Sequence, residues 1–365
     1  MTGVSIWRVA IKALTLFVAI NAAFALTNPL PIIGALSAYN AVFPGRPRLP
    51  YSDFPERAYS LSLYTLNAMF ASHEIAAGPK PADEYRVLLI GDSSVWGFLL
   101  RPEDTLAARI NAGQHTLPDG RRLRAYNLGY PIMSVTKDLL LLQRAMRYQP
   151  DLIVWLVTLE SLPLSRQLAH PLVQNNADAI RALIASYRLP LDPLDSRLVN
   201  PSFIERTLIG QRRNLADLIR LQVYGALWAA TGIDQDYPDY EPAAIDLEAD
   251  DSFHDLKPPV LRADDLALDV LRAGHQLAGD IPILIVNEPI LVSNGRNRDI
   301  RYNFFYPRWA YDQYRVIMAE RAQREGWRYL DLWNLVPMTE FTNSAVHLTP
   351  EGSRMLAERI AESLR

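Results

Sequence analysis

Short runs of branched aliphatic residues alternate along the chain with longer stretches in which apolar residues recur at helical spacing. Continuous apolar runs of this kind are typical of strands covered on both faces. Strands that alternate with helices predict parallel pairing through right-handed crossovers, and so a three-layer α/β sandwich around a five-stranded parallel sheet. The predicted strands span residues 86–90, 124–128, 152–157, 283–286 and 327–332.

Several of the predicted helices have recognisable starts. The segment 101–105 precedes a predicted helix whose N-cap is Asp104 or Thr105, since either side chain can accept a hydrogen bond from the first turn. The last helix begins at Thr349-Pro350, which combines a favoured N-cap with a favoured first helical residue. Further helices are predicted over residues 134–148, 311–325 and 350–364.

One interval interrupts the alternation of strands and helices. Residues 158–282, between strands three and four, are far too many for an ordinary crossover. They include a predicted long helix, 204–230, and a tract, 234–251, with eight acidic residues and no basic one, which predicts a solvated loop. We interpret residues 163–280 as a helical insertion that forms a lid or partner surface over the carboxyl edge of the sheet. Peripheral decoration is the alternative, because insertions in surface loops cost little.

The amino-terminal part of the chain predicts a membrane segment. With its flanks from Ile6, the apolar stretch up to Leu26 is long enough to span a bilayer, and Arg8 and Lys12 favour a cytoplasmic amino terminus with the remainder exported. A cleaved signal peptide and a buried helix of a soluble protein are the alternatives. The predicted organisation is an anchor or signal over 1–27, a linker over 28–84 and one domain over 85–365. The linker either packs partly on the membrane or on the domain's side, or is a simple tether.

Composition excludes several classes of function. The net charge of −3 does not favour nucleic-acid binding, which needs a basic face. The chain has no cysteine, so disulfides, thiolate zinc sites and a cysteine nucleophile are excluded. We expect neither a metal nor another cofactor. An apolar content of 49% is ample for a core.

Candidate chemistry lies where the first predicted strand ends. Gly91-Asp92-Ser93 follows that strand, and ligands of open α/β sheets bind at the carboxyl ends of strands. A serine at this edge is a candidate nucleophile, but it needs a base that accepts its proton. Of the six histidines, His347 lies after strand five and just before the last helix, on the same edge. We therefore predict Ser93 as nucleophile and His347 as general base and then acid.

Three blocks, in order, resemble the SGNH (GDSL-like) hydrolase superfamily. They are Gly91-Asp92-Ser93 with Gly97, then Asn127-Leu128-Gly129, and finally His347-Leu348-Thr349-Pro350-Glu351-Gly352, where the family normally has Asp-x-x-His. The resemblance covers roughly residues 85–160 and 281–365. It implies a flavodoxin-like sheet, an acyl-enzyme on the serine, and the backbone amides of Ser93 and Gly129 as oxyanion donors.

Two departures from the family pattern leave the site open to several interpretations. The family places an asparagine oxyanion donor after strand three, where this chain has only Thr158 or Ser161 as substitutes. Three residues before His347 stands Ser344, preceded by Asn343, and neither carries the negative charge of the family's aspartate. The site is therefore a Ser–His dyad, a triad whose acid comes from elsewhere, or degenerate. The candidate orienting acids are Glu288, Glu160 and Glu340.

The predicted function is that of an extracytoplasmic serine esterase or O-acyltransferase acting on acyl, in particular acetyl, esters of cell-envelope or exported glycans. Arginines interleaved with aromatic residues over 294–309 suit a sugar or an anionic glycan. Anchored members of the superfamily imply a membrane-bound O-acyltransferase partner. A catalytically degenerate protein that binds glycan or that partner is the first alternative, and a secreted esterase for lipids is the second.

Overall fold

The computed structural model describes residues 5–43, 45–232 and 242–364, and within them five parallel strands form one sheet. The strand order is β2–β1–β3–β4–β5, the flavodoxin-like order, so the predicted fold class is confirmed. Each strand overlaps its predicted position. The strands are β1 (Glu84–Ile90), β2 (Arg122–Asn127), β3 (Leu152–Val157), β4 (Ile283–Asn287) and β5 (Arg328–Asp331).

The strand order places a crevice beside the end of β1. The loop after β1 leads to β2 on one side, whereas the loop after β3 leads toward β4 on the other side, so the chain reverses its direction across the sheet between β1 and β3. The register pairs Leu89 with Asn127 of β2, and Ile90 with Trp155 of β3. At such a reversal the loops diverge and leave room for a ligand at the carboxyl ends. Residues that follow Ile90 therefore enter this crevice.

Alternate residues of the buried strands enter two different cores. Leu88 and Ile90 pack with the leucines of one helical layer, whereas Val87 and Leu89 pack with the other layer. This alternation is the two-residue period of a strand, with both faces covered. The helices are α1 (Ile6–Thr27), α2 (Leu30–Gly34), α3 (Ala38–Val42), α4 (Leu66–Ala71), α5 (Ser93–Trp96), α6 (Leu106–Ala112), α7 (Val135–Ala145), α8 (Pro171–Gln174), α9 (Ala177–Tyr187), α10 (Phe203–Arg206), α11 (Arg212–Thr231), α12 (Leu268–Ala278), α13 (Arg308–Glu325) and α14 (Pro350–Ser363).

The insertion differs from its prediction in two respects. The long helix predicted over 204–230 is two helices, α10 and α11, because the chain turns between them. Thr207 Oγ1 donates to Ile204 O at 2.6 Å, and Gly210 sits so close to α10 that a Cβ there would lie 2.4 Å from Glu205 O. Residues 234–241 of the acidic tract lie outside the described residues. In its remainder the acidic residues are exposed, as predicted for a solvated loop, but Leu247 is buried and packs this part against the domain.

Much of the segment predicted as a linker packs on the side of the sheet domain, which was one of the alternatives that the sequence predicted. Leu49 and Phe70 are fully buried. Trp96 Nε1 donates to Leu49 O at 2.8 Å, and His73 Nε2 donates to Asn127 O, at the end of β2, at 3.0 Å. Residues 46–76 thus help to hold the loops at the carboxyl edge.

Helix α1 is the one helix in the described ranges that is long and apolar enough to span a membrane. A signal sequence has the same length and composition, and the helix is largely exposed. Its two buried residues are Asn21 and Ala25.

Candidate active site

Ser93 is the first residue of α5, the short helix that follows β1. Asp92 is its N-cap: Asp92 Oδ1 accepts a hydrogen bond from Ser94 N–H at 2.7 Å, as expected for the acid of this turn. Helix α5 ends at Gly97, whose φ of +86° belongs to the left-handed region that glycine adopts without strain. The serine hydroxyl is thereby carried on a tight turn at the mouth of the crevice.

His347 lies beside Ser93 although 254 residues separate them in the sequence. Ser93 Oγ–H donates to His347 Nε2 at 2.8 Å. The histidine is held in the turn before α14, where its carbonyl accepts a hydrogen bond from Thr342 N–H at 2.8 Å and Thr349 caps the helix. The structure therefore brings together the two residues that the sequence singled out as nucleophile and base.

Asn343 occupies the position expected of the orienting acid. His347 Nδ1–H donates to Asn343 Oδ1 at 3.0 Å. A carbonyl oxygen at this place fixes the tautomer, so that the lone pair of Nε2 faces the serine, but it adds no negative charge. Asn343 was not predicted as the orienting group, because its side chain is neutral. Its position four residues before His347, on the same turn, was the available signal.

The environment of His347 keeps its ring uncharged. Desolvation by the surrounding protein lowers the pKa of His347 to about 4. The ring of Phe98 stacks on it with 4.9 Å between the centroids. At neutral pH the imidazole is therefore ready to accept a proton from Ser93.

Neither Glu288 nor Glu160, the two main candidates for an orienting acid, lies against His347, whose Nδ1 pairs with Asn343 instead. Glu288 is buried and accepts a hydrogen bond from Ser94 Oγ. Burial and the neighbouring Asp92 carboxylate raise its pKa, so a negative charge on it is disfavoured. Glu160 Oε2 accepts from His254 Nε2 at 2.7 Å instead. The third candidate, Glu340, accepts from Thr349 Oγ1.

Of the two predicted oxyanion donors, the amides of Ser93 and Gly129, only the first is free to bind an oxyanion. Ser93 N–H is at the start of α5 and has no hydrogen-bond partner among the described residues. Gly129 N–H, in contrast, donates to Asn127 Oδ1 at 3.0 Å. Glycine is required there for close packing, because a Cβ would lie 2.4 Å from Trp96 N. The amide of Gly129 is thus engaged in its own turn.

Ile132 is a functional candidate that the sequence analysis missed. It lines the same cleft as Ser93 and His347, and its N–H has no partner in the part of the chain that the structure describes. Its φ of +70° is costly for a β-branched residue, and strain of this kind clusters at functional sites. Thr158 and Ser161 do not fill the place of the missing asparagine, since both are buried and Thr158 Oγ1 hydrogen-bonds the hydroxyl of Tyr306 at 3.1 Å.

Two buried side chains clamp the strained turn that carries Ile132. Lys137 Nζ donates to Gly91 O at 2.8 Å and to Tyr130 O at 2.7 Å, so it ties this turn to the serine turn. His170 Nε2–H donates to Pro131 O at 3.0 Å, and burial lowers its pKa to about 3. Neither residue was predicted to have a role, because both act on backbone carbonyls, which no sequence motif marks.

The site opens into a cleft of about 550 Å³ with two walls. Ser93, Ile132 and His347 belong to the sheet-edge wall. The opposite wall, the insertion wall, comes from the insertion, from Glu160 just before it and from the segment 294–309. Its lining residues are Glu160, Arg166, Asp250, Ser252, Phe253, His254, Arg301, Phe304 and Phe305. A cavity of about 590 Å³ at the amino-terminal end of the sheet, beside Glu84 and Arg122, contains none of the candidate residues.

No protein family model matches the chain, and no curated protein is similar to it in sequence. Among solved structures, Est24, a carbohydrate acetylesterase from Sinorhizobium meliloti, has 12% identity over 77% of this chain and 98% of its own, with a TM-score of 0.35. A catalytic mutant of Axe2, an acetylxylan esterase from Geobacillus stearothermophilus, has 12% identity over 77% and 94%, with a TM-score of 0.38. The M. smegmatis aryl esterase has 12% identity over 77% and 98%, with a TM-score of 0.34. The fold assignment rests on the strand order, and no activity is inferred from these similarities.

Proposed function

We propose that the chain is a serine esterase or O-acyltransferase whose nucleophile is Ser93. The proposal rests on one observation: Ser93 Oγ, His347 and Asn343 Oδ1 form a continuous hydrogen-bonded series, with distances of 2.8 and 3.0 Å, at the carboxyl edge of the sheet. A serine, a neutral imidazole and a group that fixes the imidazole tautomer are the parts that acyl transfer needs.

The reaction follows from this arrangement. His347 Nε2 takes the proton of Ser93 as its oxygen attacks the ester carbonyl carbon, and the carbonyl oxygen becomes an anion. The free amides of Ser93 and Ile132 donate to that oxygen. His347 then gives the proton to the departing alcohol, which leaves an acyl-Ser93 ester. Water or a sugar hydroxyl, deprotonated by His347, attacks the ester and releases the serine.

We propose acyl esters of glycans as the substrate class. The insertion wall offers hydrogen-bonding groups in Arg166, Glu160 and His254, and the rings of Phe304 and Phe305 face the same cleft. Hydrogen-bonding groups and ring faces together suit a sugar. Arg301 is not free for this purpose, because its guanidinium donates to backbone carbonyls, including Asn303 O at 3.1 Å.

We place the reaction on the exported side of a membrane, with α1 as an uncleaved anchor. Arg8 and Lys12 precede the apolar stretch and favour a cytoplasmic amino terminus. A membrane-bound O-acyltransferase as acyl donor or acceptor partner belongs to the same proposal, and it follows from the family resemblance alone.

The decisive experiment compares the full chain with Ser93→Ala on p-nitrophenyl acetate. We expect the substitution to lower kcat/KM by at least about 10³-fold, because the acyl-enzyme cannot form. A fluorophosphonate probe should label Ser93, as located by peptide mass spectrometry. Ser186→Ala, on an exposed position of α9, is the matched control, and its kcat/KM and probe labelling should equal those of the unmodified protein. Equal turnover by Ser93→Ala would refute the proposal.

A second candidate function, glycan binding without catalysis, is favoured by the lack of a side-chain oxyanion donor, since Thr158 and Ser161 are buried. Absence of labelling and turnover in a folded protein that still binds acetylated glycan would support it. Turnover of long-chain esters but not of acetyl esters would instead favour a lipid esterase.

A further inference from the structure

The insertion contacts the apolar helix α1 through a polar side chain. Asn21 is 8% exposed, although most of α1 is exposed. Its Oδ1 accepts a hydrogen bond from Ile209 N–H at 3.1 Å, and its Nδ2 donates to Phe17 O at 2.9 Å. A polar group inside a membrane span has to be satisfied within the protein, and here the insertion satisfies it.

The position of Asn21 along α1 sets the depth of this contact. Helix α1 has 22 residues, or about 33 Å at 1.5 Å per residue, close to the thickness of a bilayer's hydrocarbon core. Asn21 lies six residues before Thr27, about 9 Å inside the end of the helix. If α1 spans a bilayer, the backbone of Ile209 therefore lies deeper in the bilayer than the point at which α1 leaves the bilayer.

The residues around this contact are apolar and exposed. Phe203, Ile204 and Ile209 are 47%, 76% and 48% exposed within a stretch of seven residues. An apolar patch of this kind is unfavourable in water, but it is typical of a segment at a membrane interface. The backbone of α10 is satisfied locally, because Ser202 and Glu205 form a capping box at its start.

The positive charges around the apolar patch suit contact with a lipid surface. Arg206, Arg212 and Arg213 are exposed beside it, at the end of α10 and the start of α11. Arginines at such a position can reach headgroup phosphates while the apolar side chains enter the acyl region.

We propose that α10 and residues 207–209 lie in the outer leaflet beside α1, so that the insertion seats the catalytic domain on the lipid surface. The proposal rests on the anchored topology proposed above and is independent of the ester chemistry. It gives the insertion a function besides that of a cleft wall, and it commits to lipid as the occupant of the patch.

The test uses the absence of native cysteine. The full chain with Ile204→Cys is labelled with a polarity-sensitive fluorophore and reconstituted into phosphatidylcholine–phosphatidylglycerol vesicles with doxyl groups at a shallow or a deep acyl position. Val316→Cys, 57% exposed on α13, is the matched control. We expect the fluorophore at position 204 to have blue-shifted emission. Shallow doxyl lipid should quench it at least about threefold more than the fluorophore at position 316, since interfacial helices lie near the acyl boundary.

The other outcomes overturn the proposal. Equal quenching at both positions, or iodide access at 204 equal to that at 316, places the patch in water. Blue-shifted emission at 204 without lipid quenching assigns the patch to a protein partner. Ile209→Cys provides a second label in case 204 perturbs α10. Turnover of p-nitrophenyl acetate by the same vesicles tests the esterase proposal separately. Lipid quenching without turnover would refute the esterase proposal and leave the lipid contact of α10 intact.

Discussion

His347 and His254 face the same cleft, but the protein holds them in different ways. His347 belongs to the sheet-edge wall, where one ring nitrogen accepts from Ser93 and the other donates to the neutral Asn343. His254 belongs to the insertion wall, with Nε2 donating to the carboxylate of Glu160 at 2.7 Å. Its Nδ1 accepts from Arg166 at 3.1 Å.

The difference assigns separate tasks to the two walls. The histidine with a hydroxyl on its basic nitrogen is suited to proton transfer, whereas both nitrogens of His254 are engaged by fixed partners. Short turns anchored in the sheet carry the reacting groups, and surface contacts hold the insertion wall. We propose that the sheet-edge wall performs the chemistry and that the insertion wall recognises the remainder of the substrate.

The largest expected effect is that of His347→Ala. We expect kcat/KM for p-nitrophenyl acetate to fall by about 10³- to 10⁴-fold, because the serine loses the base that accepts its proton. His254→Ala should change kcat/KM for this substrate by no more than about threefold, because p-nitrophenyl acetate is too small to reach the insertion wall. Steady-state kinetics of the two purified variants provide the measurement. Similar losses in both would contradict the division between the walls.

The next effect concerns Asn343. We expect Asn343→Ala to lower kcat by about 10- to 100-fold, because the imidazole is no longer held in the useful tautomer, although water can partly replace an exposed amide.

The pH profile of Asn343→Asp provides a readout that loss of structure would not give. The base must be unprotonated, so activity falls as the pH drops through the pKa of His347, which burial lowers to about 4. A carboxylate at 343 stabilises the imidazolium and raises this pKa. The acidic limb of kcat/KM should move upward by at least about one pH unit. An unchanged limb would show that position 343 does not act on His347.

Glu288 should contribute to the stability of the sheet-edge wall and not to the charge at His347. Glu288→Ala removes the acceptor of Ser94 Oγ and should lower the free energy of unfolding by about 2 kcal/mol, measured by urea denaturation. Glu288→Gln keeps a neutral acceptor and should retain most of the activity. Were Glu288 the orienting acid, the amide would reduce kcat by about 10⁴-fold, as for other triads.

The sheet-edge wall was largely predictable from sequence. Apolar runs predicted the central strands β1, β3 and β4, since a strand covered on both faces has to be apolar throughout. The edge strands β2 and β5 contain charged residues and were predicted from the alternation of strands with helices. Strand ends with Ser93 and His347 then had to meet at one edge, because parallel strands all end there. The site residues missed at this wall, Ile132 and Lys137, act through a backbone conformation and through backbone carbonyls, which side-chain motifs do not encode.

The insertion wall was not predictable in the same way. Residues 251–254 read Asp-x-x-His, the final motif of the resembled superfamily, but His254 lines the insertion wall, away from Ser93. Helix 204–230 was predicted as one element because its composition is helical throughout, whereas packing of Gly210 against α10 breaks it. Long-range contacts decide such features, and local propensity is only a weak guide to them.

The smallest expected effect tests the insertion wall directly. Arg166 and Glu160 form a direct ion pair at 3.0 Å, and both also contact the ring of His254. His254→Ala removes that ring, so each of the two side chains loses one of its partners in the cleft. We expect KM for an acetylated oligosaccharide to rise by about three- to tenfold with kcat little changed, since uniform binding is lost. Parallel assays on p-nitrophenyl acetate should show no such change. A fall in kcat on both substrates would place His254 among the reacting groups, and the two walls would then share the chemistry.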